Sequence, residues 1–406
     1  MPCQMPTEQS QSCAPAYNPQ MTSYDFDSPP DRRNSHSVKW QRVAGRDVLP
    51  MWVADMDFAA PPAVLAAMRQ ELEHGVMGYP APWPSLLDAV VGGLQRDHGW
   101  RIDPDWIVLL PGVVSGFNLA CLLAGSPGDA VATLTPVYPP FLSAPDNTRR
   151  QLIRSDMVLE GSAPAQRWVC NFDDLAARCT PETRLLILCN PHNPVGRSYS
   201  REELLRLGAL AIERDMLICS DEIHCGLVLN PDTPHIPLAS LDDDIARRTI
   251  TLMAPSKTWN IPGLSSAFAI ISDAKLRRRF ERAADGLIPH TNVMGLVATE
   301  AAYRDANEWR LALIEYLRAN AQHVAQAVSA MPGVCTTPVD ATYLAWLDCR
   351  ELAQEKKENP VAFFEAHGVL LSDGREFGAP GFLRLNFGCS RSTLDEALKR
   401  MRQAIA

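Results

Sequence analysis

The chain has 406 residues, which at ~100–200 residues per domain predicts two or three domains and a core that needs no disulfide or metal staple. Its formal net charge is -9, from 38 Lys+Arg against 47 Asp+Glu, which lacks the basic excess that sequence-independent nucleic-acid binding requires. The 11 cysteines contain no CxxC pair, as expected of reduced thiols in a cytoplasmic protein, and the opening MPCQMPTEQSQSC has neither the basic nor the apolar region of a secretory signal.

Residues 1–23 are polar and rich in Pro, Gln and Ser, which predicts a disordered leader. From Tyr24 the texture becomes globular, and residues 24–60 are expected to pack with a small C-terminal domain. Helices are predicted from Pro61-Pro62 to about Glu73 and from Ser85 to about His98. The twenty residues 107–126 carry no charge and are long enough for a bilayer. Pro111-Gly112, Ser115-Gly116 and Asn118 break that run, so it reads instead as a buried strand, Ile107–Leu110, and a buried helix, Ser115–Ala124. Strands at Ala130–Leu134, Arg184–Cys189, Met216–Cys219, Thr249–Met253 and Ser266–Ile271 then alternate with helices such as Arg201–Arg214. Short apolar strands separated by helices predict an α/β fold, a mainly parallel sheet sandwiched by helices, across a large domain at 61–290. Helices dominate from Asp273, and strands at Thr342–Leu347 and Phe382–Asn386 join them, so residues 291–406 read as a smaller α+β domain.

In open α/β sheets, ligands bind beyond the carboxyl ends of the strands. The strand exits here carry GVVSG, TPVYPPF, NPHNPVG, SDEIH and APSKTWN, each a polar or aromatic group in a Gly/Pro-shaped loop. Several familiar sites are excluded. GVVSG is not the GxSxG of a nucleophile elbow, and there is no GxGxxG or Walker A pattern. Cys219, Asp221, His224 and Cys225 crowd together without the spacing of a zinc site, so no metal is expected.

Lys257 follows a buried strand, where a lone lysine is ordinarily a surface-turn residue; a buried amine of lowered pKa there is what Schiff-base chemistry needs. Asp221 ends an apolar strand and is either a turn aspartate or the partner of a pyridinium nitrogen. Asn193 sits between two prolines, where its amide could donate to a ring oxygen, and Tyr138 in PVYPP could stack on a flat ring. GVVSG opens a helix whose free N–H groups favour a phosphate. Strand alternation puts Phe382, Arg384 and Asn386 on one face; Arg384 is either a surface residue or a clamp for a substrate carboxylate.

Together, LPMWVADMDFAAPP, TPVYPPF, LCNPHNPVGR, SDEIHCGL, APSKTWN, ATYLAWLD and GFLRLNFG resemble the pyridoxal-phosphate enzymes of fold type I, and within them the MalY/PatB group of C–S β-lyases, which includes cystathionine β-lyases. The resemblance runs from YDFDSPPDRRNSHSVKW to the C-terminus. It implies that Lys257 carries the cofactor, that Asp221 pairs with the pyridine nitrogen, that Asn193 binds the ring oxygen and that Tyr138 stacks on the ring. His224 would lie near the ring, backbone at Val113 and Val114 and the Ser256 hydroxyl would hold the phosphate, and Arg384 would hold the substrate carboxylate. It further implies a homodimer in which Tyr79 of MGYP reaches the phosphate in the neighbouring subunit.

The expected reaction is β-elimination from a small amino-acid substrate such as cystathionine, with Lys257 as the base at Cα, releasing a thiol (homocysteine from cystathionine), pyruvate and ammonia. An aminotransferase would use the same lysine and arginine and differ only in its product. A regulatory protein on the same scaffold is a third reading, against which the intact Lys257, Asp221 and Arg384 argue. Neither nucleic acid nor membrane is an expected partner.

Overall fold

The computed structural model describes residues 24–162, 166–356 and 359–406; the predicted leader, 1–23, lies outside the described residues. Seven strands form the central sheet: β1 (Ile107–Leu110), β2 (Ala130–Thr135), β3 (Gln151–Asp156), β4 (Thr183–Cys189), β5 (Leu217–Asp221), β6 (Thr249–Met253) and β7 (Ala267–Ile270). Their order is β1-β7-β6-β5-β4-β2-β3. Strands β2 to β6 pair in parallel, and β7 runs antiparallel to β6 and β1.

Both faces of this sheet are covered, which is why its strands read as continuous apolar runs. Along β4, Leu185, Ile187 and Cys189 pack into one core with Phe117 and Phe280, while Leu186 and Leu188 pack into another with Leu204, Leu207 and Ala211. Two-residue alternation thus splits one strand between two layers. The first layer is built on helix α3 (Val113–Leu123) and helix α6 (Ala274–Ala284), the second on α5 (Arg201–Glu213). A capping box starts α5: the Ser200 hydroxyl accepts from Glu203 N–H, and the Glu203 carboxylate accepts from Ser200 N–H. Helices α1 (Pro62–His74) and α2 (Pro84–His98), numbered before α3 in the chain, pack on α7 (Val293–Asp305).

A second sheet, order β8-β9-β11-β10, comprises β8 (Cys335–Thr336), β9 (Leu344–Asp348), β10 (Ser372–Asp373) and β11 (Phe382–Asn386), all antiparallel. Helices α8 (Asn307–Val328) and α9 (Arg391–Ile405) accompany it. Every residue of β11 is buried, so Arg384 is not a surface residue.

Three local differences from the sequence reading matter to the site. Helix α3 starts at Val113 rather than Ser115, which puts Val113 and Val114 in its first turn. Strand β5 extends to Asp221 rather than stopping at Cys219, so that carboxylate is held by the sheet itself. Helix α4 (Pro139–Asn147) begins directly at the TPVYPP motif, where the density of prolines hid it. The uncharged run 107–126 is strand, turn and helix, and no helix among the described residues is long and apolar enough to cross a membrane.

Candidate active site

A cavity of about 260 Å³ opens where β4, β5 and β6 end and α3 begins. Val113, Val114, Tyr138, Asn193, Asp221, His224, Ser256, Lys257 and Arg384 all line it. The topology explains the convergence: parallel strands deliver their carboxyl ends, and the loops after them, to one edge of the sheet. Tyr79 is the exception. It is 98% exposed and does not line the cavity of its own chain.

Lys257 is half-buried, and its Nζ donates to the Ala54 carbonyl at 2.8 Å. Burial, reinforced by the Arg384 charge and opposed by Asp55 and Asp221, lowers its pKa to about 8. An amine of that pKa is unprotonated in roughly a tenth of molecules at pH 7, far more than an ordinary lysine, and can act as nucleophile or base. Asp221 accepts the Ile223 N–H at 3.1 Å, and burial raises its pKa to about 7. A cationic ring nitrogen placed against it would restore the carboxylate's charge. His224 is buried, burial lowers its pKa to about 3, and its Nδ1 has no hydrogen-bond partner. Its imidazole is therefore neutral.

Arg384 ties several loops together. Its Nη1 donates to Asn193 Oδ1 at 3.0 Å, and its Nη2 donates to the Trp52 carbonyl at 2.9 Å and to Ser372 Oγ at 3.2 Å. Its buried Nε has no partner, so donor capacity remains for a carboxylate ligand. Because Arg384 occupies the amide oxygen of Asn193, the amide nitrogen is left to donate. The Asn193 carbonyl accepts the Tyr138 N–H at 3.1 Å, which locks the two loops to each other. Burial, reinforced by Asp221, raises the Tyr138 pKa and keeps the phenol neutral.

Where α3 begins, Gly112 caps it without a side chain, and the first-turn N–H groups of Val113 and Val114 have no intrahelical acceptor. Ser256 adds a hydroxyl to the lining, and Ser265 and Ser266 also border the cavity. A helix N-terminus with a hydroxyl beside it suits a phosphate. The cavity thus holds a donor set for a phosphate, an acid for a ring nitrogen, an amide for a ring oxygen and an amine for a carbonyl carbon. The buried orphan atoms His224 Nδ1 and Arg384 Nε confirm that this polar lining is incomplete by itself. The residues present fit pyridoxal phosphate.

The segment at 52–56 lies inside the motif LPMWVADMDFAAPP, but none of its residues was expected to have a role in the site. Val53 and Ala54 line the cavity, and the segment's carbonyls are bound by side chains from elsewhere. Asn386 Nδ2 donates to the carbonyls of Val53 and Asp55 at 2.6 and 2.7 Å, and Ser372 Oγ donates to that of Trp52 at 2.7 Å. The Tyr343 hydroxyl donates to the Ala54 carbonyl at 2.8 Å. Arg384 and Asn386 share one face of β11, so the period-2 pattern did place Asn386 on the site side.

The chain matches the family described as aminotransferase class I and II over residues 46–401. It is similar to a Bacillus subtilis protein named cystathionine beta-lyase PatB, at 38% identity over 392 residues that cover 94% of this chain and 100% of the relative. Among solved structures, one described as OvoB superposes with a TM-score of 0.90 at 43% identity, covering 94% of this chain and 99% of the other. Cystalysin from Treponema denticola, whose structure contains a pyridoxal 5'-phosphate cofactor, superposes with a TM-score of 0.88 at 30% identity, covering 94% of this chain and 98% of the other.

Proposed function

The chain belongs to the class I and II aminotransferase family, and we propose that within it the protein is a pyridoxal-phosphate-dependent C–S β-lyase, acting on cystathionine or a related cysteine S-conjugate. One observation carries the reading: the Lys257 amine shares a cavity with Asp221, Asn193 and Arg384, in a chain that aligns over 94% of its length with a named cystathionine beta-lyase. When bound, pyridoxal phosphate supplies an electron sink that acidifies the Cα proton of an amino acid.

The chain's own residues do the rest. Val113, Val114 and Ser256 hold the phosphate, Asp221 keeps the ring nitrogen protonated, Asn193 donates to the ring oxygen, and Tyr138 and His224 flank the ring. Arg384 binds the substrate carboxylate, a charge-assisted contact worth ~1.5–3 kcal/mol. The free Lys257 amine takes the Cα proton. Its loss lets the Cβ–S bond break with the sulfur leaving as thiolate, and water converts the three-carbon remainder to pyruvate and ammonia. Tyr79, too exposed to serve its own chain, completes the phosphate site of a second copy in a cytoplasmic homodimer, with residues 61–290 as the large domain and 291–406 as the small one.

The test is a spectrum and a product assay on the full chain supplied with pyridoxal phosphate. Wild type is expected to release thiol and pyruvate from cystathionine, cysteine or an S-alkyl cysteine. Lys257→Ala is expected to lose both the lysine-bound cofactor absorbance and turnover. Pyruvate release retained by Lys257→Ala, or a keto acid with no thiol from wild type, would overturn the reading.

A further inference from the structure

Two donors meet on one backbone oxygen. Lys257 Nζ and the Tyr343 hydroxyl each donate to the Ala54 carbonyl at 2.8 Å. Tyr343 is fully buried, one residue before β9, and its ring meets the edge of His224 at a centroid distance of 6.1 Å. We infer that Tyr343 is a positioning residue for the elimination: its hydroxyl fixes the Ala54 carbonyl and tunes how tightly that carbonyl holds a proton on Lys257. The inference rests on the β-lyase reading above and extends it to a residue that touches neither cofactor nor substrate.

The physical argument starts from the acceptor. A carbonyl oxygen has two lone pairs and can accept twice. Each donor draws electron density, so a shared oxygen is a weaker acceptor for either one. An ammonium gains more from a hydrogen bond than a neutral amine does. Weakening the acceptor therefore favours the unprotonated amine, the form a base at Cα requires.

The neighbouring carbonyls are pinned independently of Tyr343. Trp52 is held by Arg384 and Ser372, Val53 and Asp55 by Asn386, and Met56 by Arg32 and Asn260. Removing the Tyr343 hydroxyl leaves the segment in place and acts through the one hydrogen bond. The charged and titratable groups around Lys257 are Arg384 from β11, Asp55 from the 52–56 segment, and Asp221 and His224 at the end of β5. Those around Tyr343 are Asp55, Arg384, Tyr138 and His224. None of these changes in the test.

Two substitutions of opposite sign are compared in the full chain. Tyr343→Phe keeps the ring and deletes the donor. Site-specific 3-fluorotyrosine at 343 keeps the shape and makes a stronger donor. The first readout is the pH dependence of Lys257 labelling by a small amine reagent in cofactor-free protein, followed by peptide mass spectrometry. The second is the acid limb of kcat in the loaded enzyme. Tyr343→Phe is expected to raise the labelling pKa by about 0.5 pH unit, roughly a threefold change in proton affinity, and to move the acid limb with it. The fluorinated variant is expected to move both the other way, with KM held within about twofold in each because Arg384 keeps its contacts. Equal labelling profiles in wild type and the fluorinated variant would overturn the inference, whether or not the phenylalanine variant folds. Failure of wild type to release pyruvate would sink the lyase reading instead and leave the labelling comparison standing.

Discussion

Asp221→Asn removes a carboxylate whose pKa burial raises from 3.8 to about 7, while keeping an oxygen to accept the Ile223 N–H. Because the folded pKa lies above the unfolded one, the unfolded chain ionises first as pH rises, and stability is lost between about pH 4 and 7. At ~1.4 kcal/mol per pH unit, the loss is about 4 kcal/mol at pH 8, about 2 kcal/mol at pH 5.5, and absent well below 3.8. Urea unfolding of cofactor-free wild type and Asp221→Asn at those two pH values reads the difference, since titrations of groups distant from Asp221 cancel between the two proteins and Lys257, the charged neighbour it is coupled to, is protonated in most molecules at pH 5.5. The variant is expected to gain on wild type by about 2 kcal/mol from pH 5.5 to 8. With the cofactor bound, the sign reverses, because a carboxylate opposite a protonated ring nitrogen is an asset; turnover is expected to fall at least ~10-fold. A difference that does not move with pH would refute the claim that Asp221 is held at a folding cost for the sake of the site.

Other consequences are as concrete. Arg384→Lys cannot reproduce the three hydrogen bonds to Asn193, Trp52 and Ser372, so kcat/KM is expected to drop ~10–100-fold in steady-state assays with folding retained. Gly226→Ala would set a Cβ 2.5 Å from Thr258 Oγ1 and 2.7 Å from Thr258 Cγ2, next to Lys257. It is expected to cost ~1–3 kcal/mol in thermal unfolding and to lower kcat more than it raises KM. If Tyr79 serves the neighbouring subunit, mixing Tyr79→Ala with Lys257→Ala chains rebuilds one intact site per hybrid dimer, and turnover recovers to about a quarter of wild type. No recovery on mixing would remove Tyr79 from the site.

The legible part of the fold was the part written in side-chain pattern. Short apolar runs announced β1, β2, β4, β5, β6 and β7, because burial on both faces leaves little choice of residue. Strand β3 did not announce itself: it lies at the sheet edge, and QLIRSD mixes exposed charge with partial burial. Helix α4 was obscured by PPF with Pro145 inside it, a composition that reads as loop. The same contrast holds at the site. Lys257, Asp221, Asn193 and Tyr138 stood out by their chemistry at strand exits and Arg384 by its face of a strand, and all five line the cavity. Ala54 contributes through a carbonyl that every residue type possesses, so nothing in its side chain marks it. Tyr343 and Asn386 lie in quoted motifs, and Asn386 on the same strand face as Arg384, yet neither received a role, since their significance lies in which carbonyl they meet.

That hidden acceptor row has an architectural origin. The 52–57 segment is fixed by opposite charges, a partly exposed Arg32 and a fully buried Lys39 against Asp55 and Asp57. Arg32 pairs with Asp55 at 2.5 Å and Asp57 at 2.8 Å, and the fully buried Lys39 pairs with Asp57 at 2.9 Å. The Trp40 indole N–H also donates to Asp57 at 3.0 Å. Breaking such a group by removing one member typically costs ~3–5 kcal/mol, because it strands a buried charge. So the anchor holds the backbone as a unit, and its two useful carbonyls sit two residues apart. Trp52 receives the carboxylate-binding Arg384, and Ala54 receives the Lys257 amine. A substrate that draws Arg384 toward its carboxylate must act on the same rigid segment that holds the base. Carboxylate recognition and proton abstraction are then mechanically joined through about one turn's worth of backbone. A substitution in the charge anchor, Asp57→Asn for example, should weaken both steps together although it touches neither ligand. It is expected to raise KM and lower kcat in parallel; an effect on only one of them would show that the two carbonyls move independently.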